Sequence, residues 1–307
     1  MTILITGATG LIGQELIREL TSKGHKDLRV VTTNTLKAKK KMSHLNSTSI
    51  QFFEWDLDTM SIEAYALKDV DIIIHLAGES VATGRWTKSK KNKILQSRIK
   101  GTALLLQEIK KYNYYPKHFI SSSAIGFYGD RNDEILDQTS LPGEGFLADV
   151  CKRWESTLLE ENIGGMSKSI IRTGLVLSAE GGALSEILPP FKLGVGGTLG
   201  SGKQYMSWIH IKDLVNIFLY SIDHPDQISI LNAVSPNPVT NNEFTLELGK
   251  TLNKPTFFKA PSFVLKLALG EKSHLLLDSQ RVVPSSLVEK GFIFSFPTLT
   301  SAFQNIL

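Results

Sequence analysis

Three glycines near the start of the chain have the spacing of a phosphate-binding turn. Gly7, Gly10 and Gly13 follow the apolar run 2–6 and open a segment with the apolar period of a helix. Glycine lets the backbone turn tightly and approach a pyrophosphate closely, while the free amides of a helix start attract anions. The alternative is a turn whose glycines serve packing alone. We expect a dinucleotide phosphate here, in contact with Gly7, Thr9, Gly10, Leu11, Ile12 and Gly13.

The residues after the second apolar run indicate which dinucleotide binds. An enzyme that uses NAD usually has Asp or Glu about 20 residues beyond the glycines, where it binds the ribose hydroxyls. Here that position is Thr33 or Asn34, and Lys37, Lys39 and Lys40 follow shortly after. Because no carboxylate is there to repel a 2′-phosphate, the sequence predicts NADP(H) as the cofactor, with NAD(H) as the less favoured alternative.

Further cofactor contacts are expected where the third and fourth strands end. Asp56 and Leu57 are placed to receive the adenine. Leu76, Ala77 and Gly78 are placed to pass beneath the nicotinamide ribose. In each case, simple packing at the end of a strand explains the residues equally well.

These contacts require elements that bring them to one edge of a sheet. Short β-branched runs alternate with helix-length periodic segments through the first half of the chain, which is typical of βαβ units in a parallel sheet. After Gly174 the sequence is rich in glycine and proline, with little periodicity until a helix that follows Asp213. The predicted strands cover 2–6, 28–33, 50–54, 71–76, 118–121, 168–172 and 229–233, and the predicted helices cover 11–23, 88–112 and 146–161.

This pattern predicts an α/β fold with a Rossmann-type doubly wound parallel sheet and a smaller C-terminal substrate-binding region. We place the NAD(P)-binding domain at 1–174 and the smaller region at 175–307. The smaller region is expected to contribute some elements back to the main sheet.

Composition limits the classes of protein to which the chain can belong. The 307 residues are 42% hydrophobic, and 34 Lys and Arg against 30 Asp and Glu leave a net charge of +4, which excludes a disordered or fibrous chain. No apolar run reaches the roughly 18 residues of a spanning helix, so no membrane partner is expected. The lysine clusters lack interleaved aromatic residues, so no nucleic-acid partner is expected. A lone Cys151 and a start without a secretory signal favour a cytoplasmic location.

Several motifs together resemble those of a known superfamily. The chain is similar over nearly its whole length to the extended short-chain dehydrogenase/reductases. More narrowly, it is similar to the atypical branch called epimerase family proteins, which resemble nucleotide-sugar epimerases. The superfamily motifs are Gly7-x-x-Gly10-x-x-Gly13, His75-Leu76-Ala77-Gly78, Ser121-Ser122-Ser123, Tyr128-Gly129 and Trp208-x-His210. The narrower motifs include Ser97-Arg98, Arg172-Thr173-Gly174, Leu188-Pro189-Pro190-Phe191 and Gly200-Ser201-Gly202.

The resemblance implies a Ser and a Tyr-x-x-x-Lys pair as the catalytic residues. In that superfamily the tyrosine transfers a proton while hydride moves to or from C4 of the nicotinamide, and the lysine holds the ribose and lowers the tyrosine pKa. Ser123 matches the serine, but the tyrosine slot holds Leu147 and the lysine slot holds Cys151. We therefore predict Ser123 and Tyr128 as a catalytic hydroxyl pair. The alternative is that the Tyr128 ring only packs in its loop, and Cys151, on an apolar helix face, is expected to be buried and inert.

Other polar residues lie at predicted strand ends or in the cleft that the resemblance implies. Ser121 and Arg172 are expected cofactor contacts, although an arginine in such a position pairs with a structural acid as often as it clamps a ligand. A structural role is the favoured interpretation of His210, and a solvated carboxylate is an equal alternative for Glu79. The expected substrate residues are Glu79, Arg85, Trp86, Gln204, His210 and Arg281. No metal-ligand spacing is present in the sequence.

The sequence thus favours hydride transfer between NADP(H) and a small carbonyl or sugar-type substrate, as a reductase or as an epimerase. Because the Tyr/Lys pair is absent, a non-catalytic NADPH-binding sensor or scaffold is the alternative. Dimers are common in the superfamily through two long helices, whose counterparts here are 88–112 and 146–161. A homodimer is therefore the assembly to test.

Overall fold

The computed structural model of the protein describes residues 1–45, 50–225 and 229–307. Its strands are β1 (Thr2–Thr6), β2 (Asp27–Thr32), β3 (Ile50–Asp56), β4 (Ser61–Ile62), β5 (Ile72–His75), β6 (His118–Ala124), β7 (Ile135–Leu136), β8 (Ser167–Thr173), β9 (Leu175–Leu177), β10 (Gly197–Leu199), β11 (Tyr205–Met206), β12 (Trp208–His210), β13 (Ser229–Ala233), β14 (Val239–Thr240), β15 (Phe258–Ala260) and β16 (Arg281–Val282). Its α-helices are α1 (Leu11–Ser22), α2 (Thr35–Lys41), α3 (Lys88–Tyr112), α4 (Phe146–Leu159), α5 (Ala183–Lys192), α6 (Ile211–Asp223), α7 (Asn241–Leu252), α8 (Ser262–Leu269), α9 (His274–Leu277), α10 (Ser285–Glu289) and α11 (Leu299–Ile306). None of these described helices is both long enough and apolar enough to cross a membrane.

Eight of the described strands form one central sheet, in the order β13-β8-β6-β5-β1-β2-β3-β4. Neighbouring strands pair in parallel, except that β4 is antiparallel to β3. The strand order reverses between β1 and β5, because β2 and β3 extend the sheet on one side of β1 and β5, β6 and β8 extend it on the other. The carboxyl ends of β1 and β5 therefore border a switch point, where open α/β sheets bind ligands. The predicted doubly wound Rossmann-type sheet is confirmed.

Both faces of the central strands are covered by helices. In β1, Ile3 and Ile5 pack into one core with Leu16 of α1 and Phe218 of α6. Leu4, which lies between them, packs into a second core on the other face, together with residues of α3 and α4. Because neither face meets water, β1 and β5 are continuous apolar runs rather than alternating ones.

The residues after 174 form a smaller layer with its own core. This core contains Leu184, Phe191, Trp208, Phe244 and Phe303 from three helices and one strand. Elements of this part of the chain also join the main sheet, because β13 pairs with β8 and α6 packs against α1. The domain boundary at 174 stays a prediction.

Helix α5 differs from the expectation of a loop-rich stretch after Gly174. It contains Pro189 and Pro190, residues that normally interrupt a helix because each lacks an N–H and clashes with the preceding turn. The burial of Leu184 and Phe191 in the C-terminal core holds the helix together in spite of them. Helices α7, α8 and α11 were likewise outside the elements that the sequence pattern predicts.

Candidate functional site

The three glycines of the first turn have different surroundings. Gly7 has a φ of +68°, and a Cβ there would lie 2.7 Å from backbone atoms just beyond β5. A Cβ on Gly13 would lie 2.5 Å from the Cα of Ala8. A Cβ on Gly10, in contrast, would meet only the carbonyl oxygen of Gly7, at 3.2 Å. Gly7 and Gly13 are therefore required by packing, whereas Gly10 presents bare backbone to open space.

Helix α1 begins at this turn without a cap. Among the described residues, no side chain accepts a hydrogen bond from its first amides, and its first turn contains no acidic residue. The amides at the helix start therefore keep their partial positive charge. Thr9, Leu11 and Ile12 lie at the same turn and are partly buried. This cradle, which a Cβ on Gly10 would fill, fits the pyrophosphate of a dinucleotide.

The carboxylate of Glu54, on β3, lies close to the end of β2, and the spacing after the glycines did not predict it. Thr33 is exposed, and Asn34 caps α2 by accepting a hydrogen bond from a backbone amide at 2.8 Å. On the neighbouring strand, Glu54 accepts a hydrogen bond from Thr35 Oγ1 at 3.4 Å. The signal that could have found Glu54 is strand register, because it pairs with Thr32 at the carboxyl end of the sheet. The charge at this end is therefore mixed rather than purely basic.

Asp56 and Leu57 lie at the same edge, where β3 ends. The Asp56 carboxylate accepts hydrogen bonds from the amides of Asp58 and Thr59, at 2.7 and 3.4 Å, and these bonds lower its pKa. Leu57 is partly buried, and its carbonyl oxygen accepts a hydrogen bond from Lys100 Nζ at 3.2 Å. The carboxylate thus shapes the turn, and contact of either residue with an adenine stays a prediction.

Two buried side chains fix the segment that follows β5. The hydroxyl of Thr6 accepts a hydrogen bond from the amide of Ala77 at 3.2 Å and lies 2.7 Å from Nδ1 of His75. His75 is fully buried, and burial lowers the pKa of its imidazole to about 3, so the ring is neutral. These contacts hold Leu76, Ala77 and Gly78 at the switch point, beside the glycine turn.

Ser123 and Tyr128 belong to one buried polar network. Ser123 Oγ donates a hydrogen bond to Glu155 Oε1 at 2.6 Å. Arg172 donates to both carboxylate oxygens of Glu155, at 2.9 and 2.7 Å, and to the hydroxyl oxygen of Tyr128 at 3.0 Å. The Tyr128 hydroxyl donates in turn to Asn232 Oδ1 at 2.7 Å. All five side chains are buried, so the network is shielded from solvent.

This network bears on the predicted catalytic hydroxyl pair. Tyr128 is fully buried, and burial raises the pKa of its phenol above the ordinary value. The proton of Ser123 is directed to Glu155 rather than to a ligand. The structure joins Ser123 to Tyr128 through Glu155 and Arg172, not as two adjacent hydroxyls facing a substrate. The catalytic role of Tyr128 stays a prediction, and its burial does not favour that role.

Arg172 has a structural acid as its partner. Besides the bidentate pair with Glu155, its guanidinium carbon lies 3.4 Å from the centroid of the Phe127 ring. The structural alternative considered for Arg172 is therefore the one observed, and its contact with cofactor stays a prediction. Ser121 is also buried, and it donates to the carbonyl oxygen of Ser122 at 3.1 Å. Sequence reasoning missed Glu155, although a carboxylate within the apolar face of α4 was a visible signal.

The residues in the tyrosine and lysine slots offer no group for proton transfer. Leu147 is partly buried at the edge of a cleft. Cys151 is buried, and its Sγ lies 3.6 Å from the carbonyl oxygen of Ala124. Burial raises the pKa of the Cys151 thiol to about 11, so the thiol is protonated and unreactive at neutral pH.

A cleft of about 350 Å³ opens beside Leu147. Trp86 and Phe146 form part of its wall, with ring centroids 5.2 Å apart. Sequence reasoning missed its charged lining, in which His274 Nδ1 lies 2.7 Å from Asp278 Oδ1. The spacing His-x-x-x-Asp, one helical turn, was the available signal. The acidic residues that line the cleft are Asp130, Glu144, Glu271 and Asp278.

The residues predicted to bind substrate do not converge on this cleft. Trp86 lines it, while Arg85 lines an adjacent cavity of about 250 Å³ together with Trp86. Glu79 lies beyond β5 and forms an ion pair with Lys90 of α3. Of Glu79, Arg85 and Trp86, therefore, only Trp86 lines the larger cleft.

The other three predicted substrate residues lie in structural positions. Gln204 is buried and donates hydrogen bonds to two backbone carbonyls, at 2.9 and 3.2 Å. His210 caps α6 and stacks on Phe296 with ring centroids 3.9 Å apart, which agrees with the favoured structural interpretation. Arg281 lies over the ring of Tyr205, 4.7 Å from its centroid. Within residues 1–45, 50–225 and 229–307, no group of three or more His, Cys, Asp or Glu is placed to hold a metal ion.

Comparison with known proteins identifies the family. The NAD dependent epimerase/dehydratase family matches residues 3–233, from the first strand to the edge strand β13 of the main sheet. The chain belongs to this family. A second match, to a domain of unknown function (DUF1731), covers residues 260–306.

Relatives of this epimerase family member match it from end to end. An epimerase family protein of Mycobacterium leprae (strain TN) is 35% identical over 301 residues, which are 98% of this chain and 94% of the relative. The epimerase family protein SDR39U1 of Mus musculus is 31% identical over 313 residues, and the match covers 100% of each chain. The crystal structure of human epimerase family protein SDR39U1 with NADPH has a TM-score of 0.87 and 29% identity, and covers 100% of this chain and 99% of that chain. The resemblance drawn from the motifs is confirmed.

Proposed function

We propose that this epimerase family member binds NADP(H) and uses it to transfer hydride to or from a small carbonyl or sugar-type substrate. The observation that carries the proposal is the uncapped start of α1 at the switch point, with bare backbone at Gly10. The human relative that was crystallised with NADPH supports the choice of dinucleotide. Lys37 and Lys39, both exposed beyond β2, supply positive charge suited to a 2′-phosphate, and Glu54 opposes it.

The chain's own residues bind and orient the reactants. When bound, the cofactor supplies or accepts the hydride. The glycine turn holds the pyrophosphate, and Thr6 with His75 fixes the segment beneath the nicotinamide half. The cleft beside Leu147 receives the substrate. Reduction of a carbonyl also needs a proton, and the hydrogen-bonded pair of His274 and Asp278 in the cleft wall is a source for it.

A second candidate function is cofactor binding without turnover, as a sensor or scaffold. Leu147 and Cys151 cannot replace a Tyr/Lys pair, and the Tyr128 hydroxyl is buried. The two functions differ in whether NADPH is consumed. We expect absorbance at 340 nm to fall with a substrate from a panel of carbonyl compounds, and to fall more slowly in His274→Ala. A panel without any turnover, together with tight NADPH binding, would favour the second function.

Substitution of Gly10 tests the cofactor site. A methyl group at Gly10 occupies the cradle and meets only the Gly7 carbonyl oxygen, at 3.2 Å, which a small shift of the turn relieves; Gly10→Ala should therefore fold but lose affinity for NADPH by roughly tenfold or more. Calorimetric titration of cofactor-stripped protein measures both NADPH and NADH, and we expect NADPH to bind more tightly. Gly164→Ala is the control, because Gly164 is exposed and a Cβ there has nothing within 4 Å. Equal NADPH affinity in Gly10→Ala and wild type would contradict the site.

A further inference from the structure

Arg98 of α3 holds a guanidinium group against the segment that follows β5. Its Nη1 donates hydrogen bonds to the carbonyl oxygens of Glu79 and Ile94, at 3.0 and 2.9 Å. The guanidinium carbon lies 5.1 Å from the centroid of the Trp154 ring. A Cβ built on Gly78 would lie 3.1 Å from the same guanidinium carbon. The group is therefore fixed between the β5 segment and α4, at the carboxyl edge of the sheet.

Arg98 forms no ion pair with a carboxylate in the part of the chain that the structure describes. The Glu79 carboxylate, which is nearby in sequence, pairs with Lys90 instead. The buried carboxylate of Glu155 is taken by Arg172. Burial without an ion pair is costly for a guanidinium, and burial lowers the pKa of Arg98 from its ordinary value, although the charge of Glu79 opposes this effect.

Arg98 also has hydrogen-bond donors to spare. Both of its hydrogen bonds to described residues come from Nη1, so Nε and Nη2 have no protein acceptor there. The side chain is partly buried and lies beside Gly78, which is exposed at the switch point. A fixed cation that has no ion-pair partner and has free donors at this edge is suited to oxygen acceptors of a ligand.

The position in the sheet selects which half of a dinucleotide meets Arg98. The pyrophosphate cradle follows β1, and β2 and β3 lie on one side of it, with Thr33 and Asp56 at their ends. Arg98 lies on the other side, beside the segment after β5. A dinucleotide whose pyrophosphate sits in the cradle and whose adenosine extends toward β2 and β3 directs its nicotinamide half toward Arg98.

We propose that Arg98 contacts the nicotinamide half of the bound cofactor and makes the site prefer NADPH over NADP⁺. This inference rests on the proposed function. The oxidised nicotinamide ring carries a positive charge and the reduced ring is neutral, so a fixed, partly buried guanidinium beside the ring penalises only the oxidised form. The free donors bind the ribose hydroxyls in both forms.

Calorimetric titration with NADPH, NADP⁺ and adenosine 2′,5′-bisphosphate tests the proposal. We expect wild type to bind NADPH about tenfold or more tightly than NADP⁺, because like charges repel strongly in a partly dry site. Arg98→Met should bring the two affinities close together and weaken NADPH binding, while leaving the bisphosphate affinity unchanged, because that fragment lacks the nicotinamide half. Arg98→Lys keeps the charge and should keep part of the preference. Lys93→Met removes a charge from an exposed position of the same helix and should behave as wild type.

The outcomes separate this inference from the proposed function. If the wild-type protein bound NADPH and NADP⁺ with equal affinity, that result alone would overturn the proposed role of Arg98. An unchanged preference in Arg98→Met, or an equal loss in Lys93→Met, would overturn it as well. Failure of wild type to bind even the bisphosphate would instead remove the proposed cofactor site itself.

Discussion

Glu155 and Arg172 form a bidentate ion pair in the interior, with side chains about 5 and 3% exposed. The pair ties three elements together, because Glu155 belongs to α4, Arg172 to β8 and Ser123 to β6. Two charges taken out of water stabilise a fold only while both remain, since either one alone is left buried without compensation. Loss of either Glu155 or Arg172 is therefore expected to destabilise the fold, whatever the net contribution of the intact pair to the free energy of unfolding.

Removal of Arg172 should be severe. Arg172→Met leaves the Glu155 carboxylate buried with only the Ser123 hydroxyl, and we expect the free energy of unfolding to fall by about 3–5 kcal/mol. Urea denaturation followed by tryptophan fluorescence measures this change. Lys152→Met breaks the exposed pair with Asp149 on the same helix as Glu155 and should change stability by about 0.5 kcal/mol or less. Similar effects of the two substitutions would refute the argument from burial.

The residues of the cofactor turn could be predicted because their signal is local. Gly7, Gly10 and Gly13 lie within one turn that joins a strand to a helix, so spacing alone describes them. The partners in the buried network are set by tertiary contacts instead: Tyr128 and Asn232 are 104 residues apart. No periodicity in the sequence links such residues, and the pairing of Arg172 with Glu155 appears only once β8 packs against α4.

Element boundaries were predictable where burial is continuous. The prediction of β1 at 2–6 and of a helix at 88–112 agrees with the structure. The C-terminal helices were missed for different reasons. Helix α5 contains two prolines, whereas α7 carries a legible start signal, since Thr240 is followed by Glu243 three residues later. That signal was present in the sequence, and Phe244, Leu248 and Leu252 follow it at helical spacing.

The capping box of α7 gives a test at this scale. Thr240 Oγ1 accepts a hydrogen bond from the Glu243 amide, and the Glu243 carboxylate accepts one from the Thr240 amide. Thr240→Ala should lower the free energy of unfolding by about 1 kcal/mol, because it leaves the amide at the helix start without its partner. Thr251→Ala, near the other end of the same helix, is the control and should cost less. Chemical denaturation measures the free energy of unfolding of both variants. Equal losses of stability in Thr240→Ala and Thr251→Ala would mean that the cap makes no specific contribution.

Three histidines are buried in separate parts of the molecule. His75 lies in the central sheet, His118 lies at the start of β6, and His210 precedes α6. Burial lowers the pKa to about 3 for His75 and to about 4 for His118 and His210. Between these values and the ordinary value of 6.5, the unfolded chain binds protons that the folded chain does not. The stability of the whole fold therefore falls as the pH decreases through this window.

Urea denaturation at pH 7 and pH 5 should reveal this loss. We expect on the order of 2 kcal/mol for each buried histidine, since about 1.4 kcal/mol corresponds to each unit of pH below the unfolded pKa. His118→Gln should lose less stability than wild type over the same interval, because one of the three groups is gone. His44→Gln, at an exposed position, is the control and should follow wild type. A fold equally stable at both pH values would contradict the burial of neutral imidazoles.

The edge strand β13 has a consequence for biosynthesis. It pairs with β8 through five residues, from Ser229 to Ala233, although the rest of the main sheet is complete by Thr173. While the chain is on the ribosome, β8 thus has an open edge until the segment containing Ala233 has left the exit tunnel. The long stretch translated in between delays closure of that edge, and an unpaired edge is a template for pairing with another chain. On a crowded polysome, neighbouring nascent copies would compete with β13 for β8, so slow translation of this stretch favours aggregation before the chain is released.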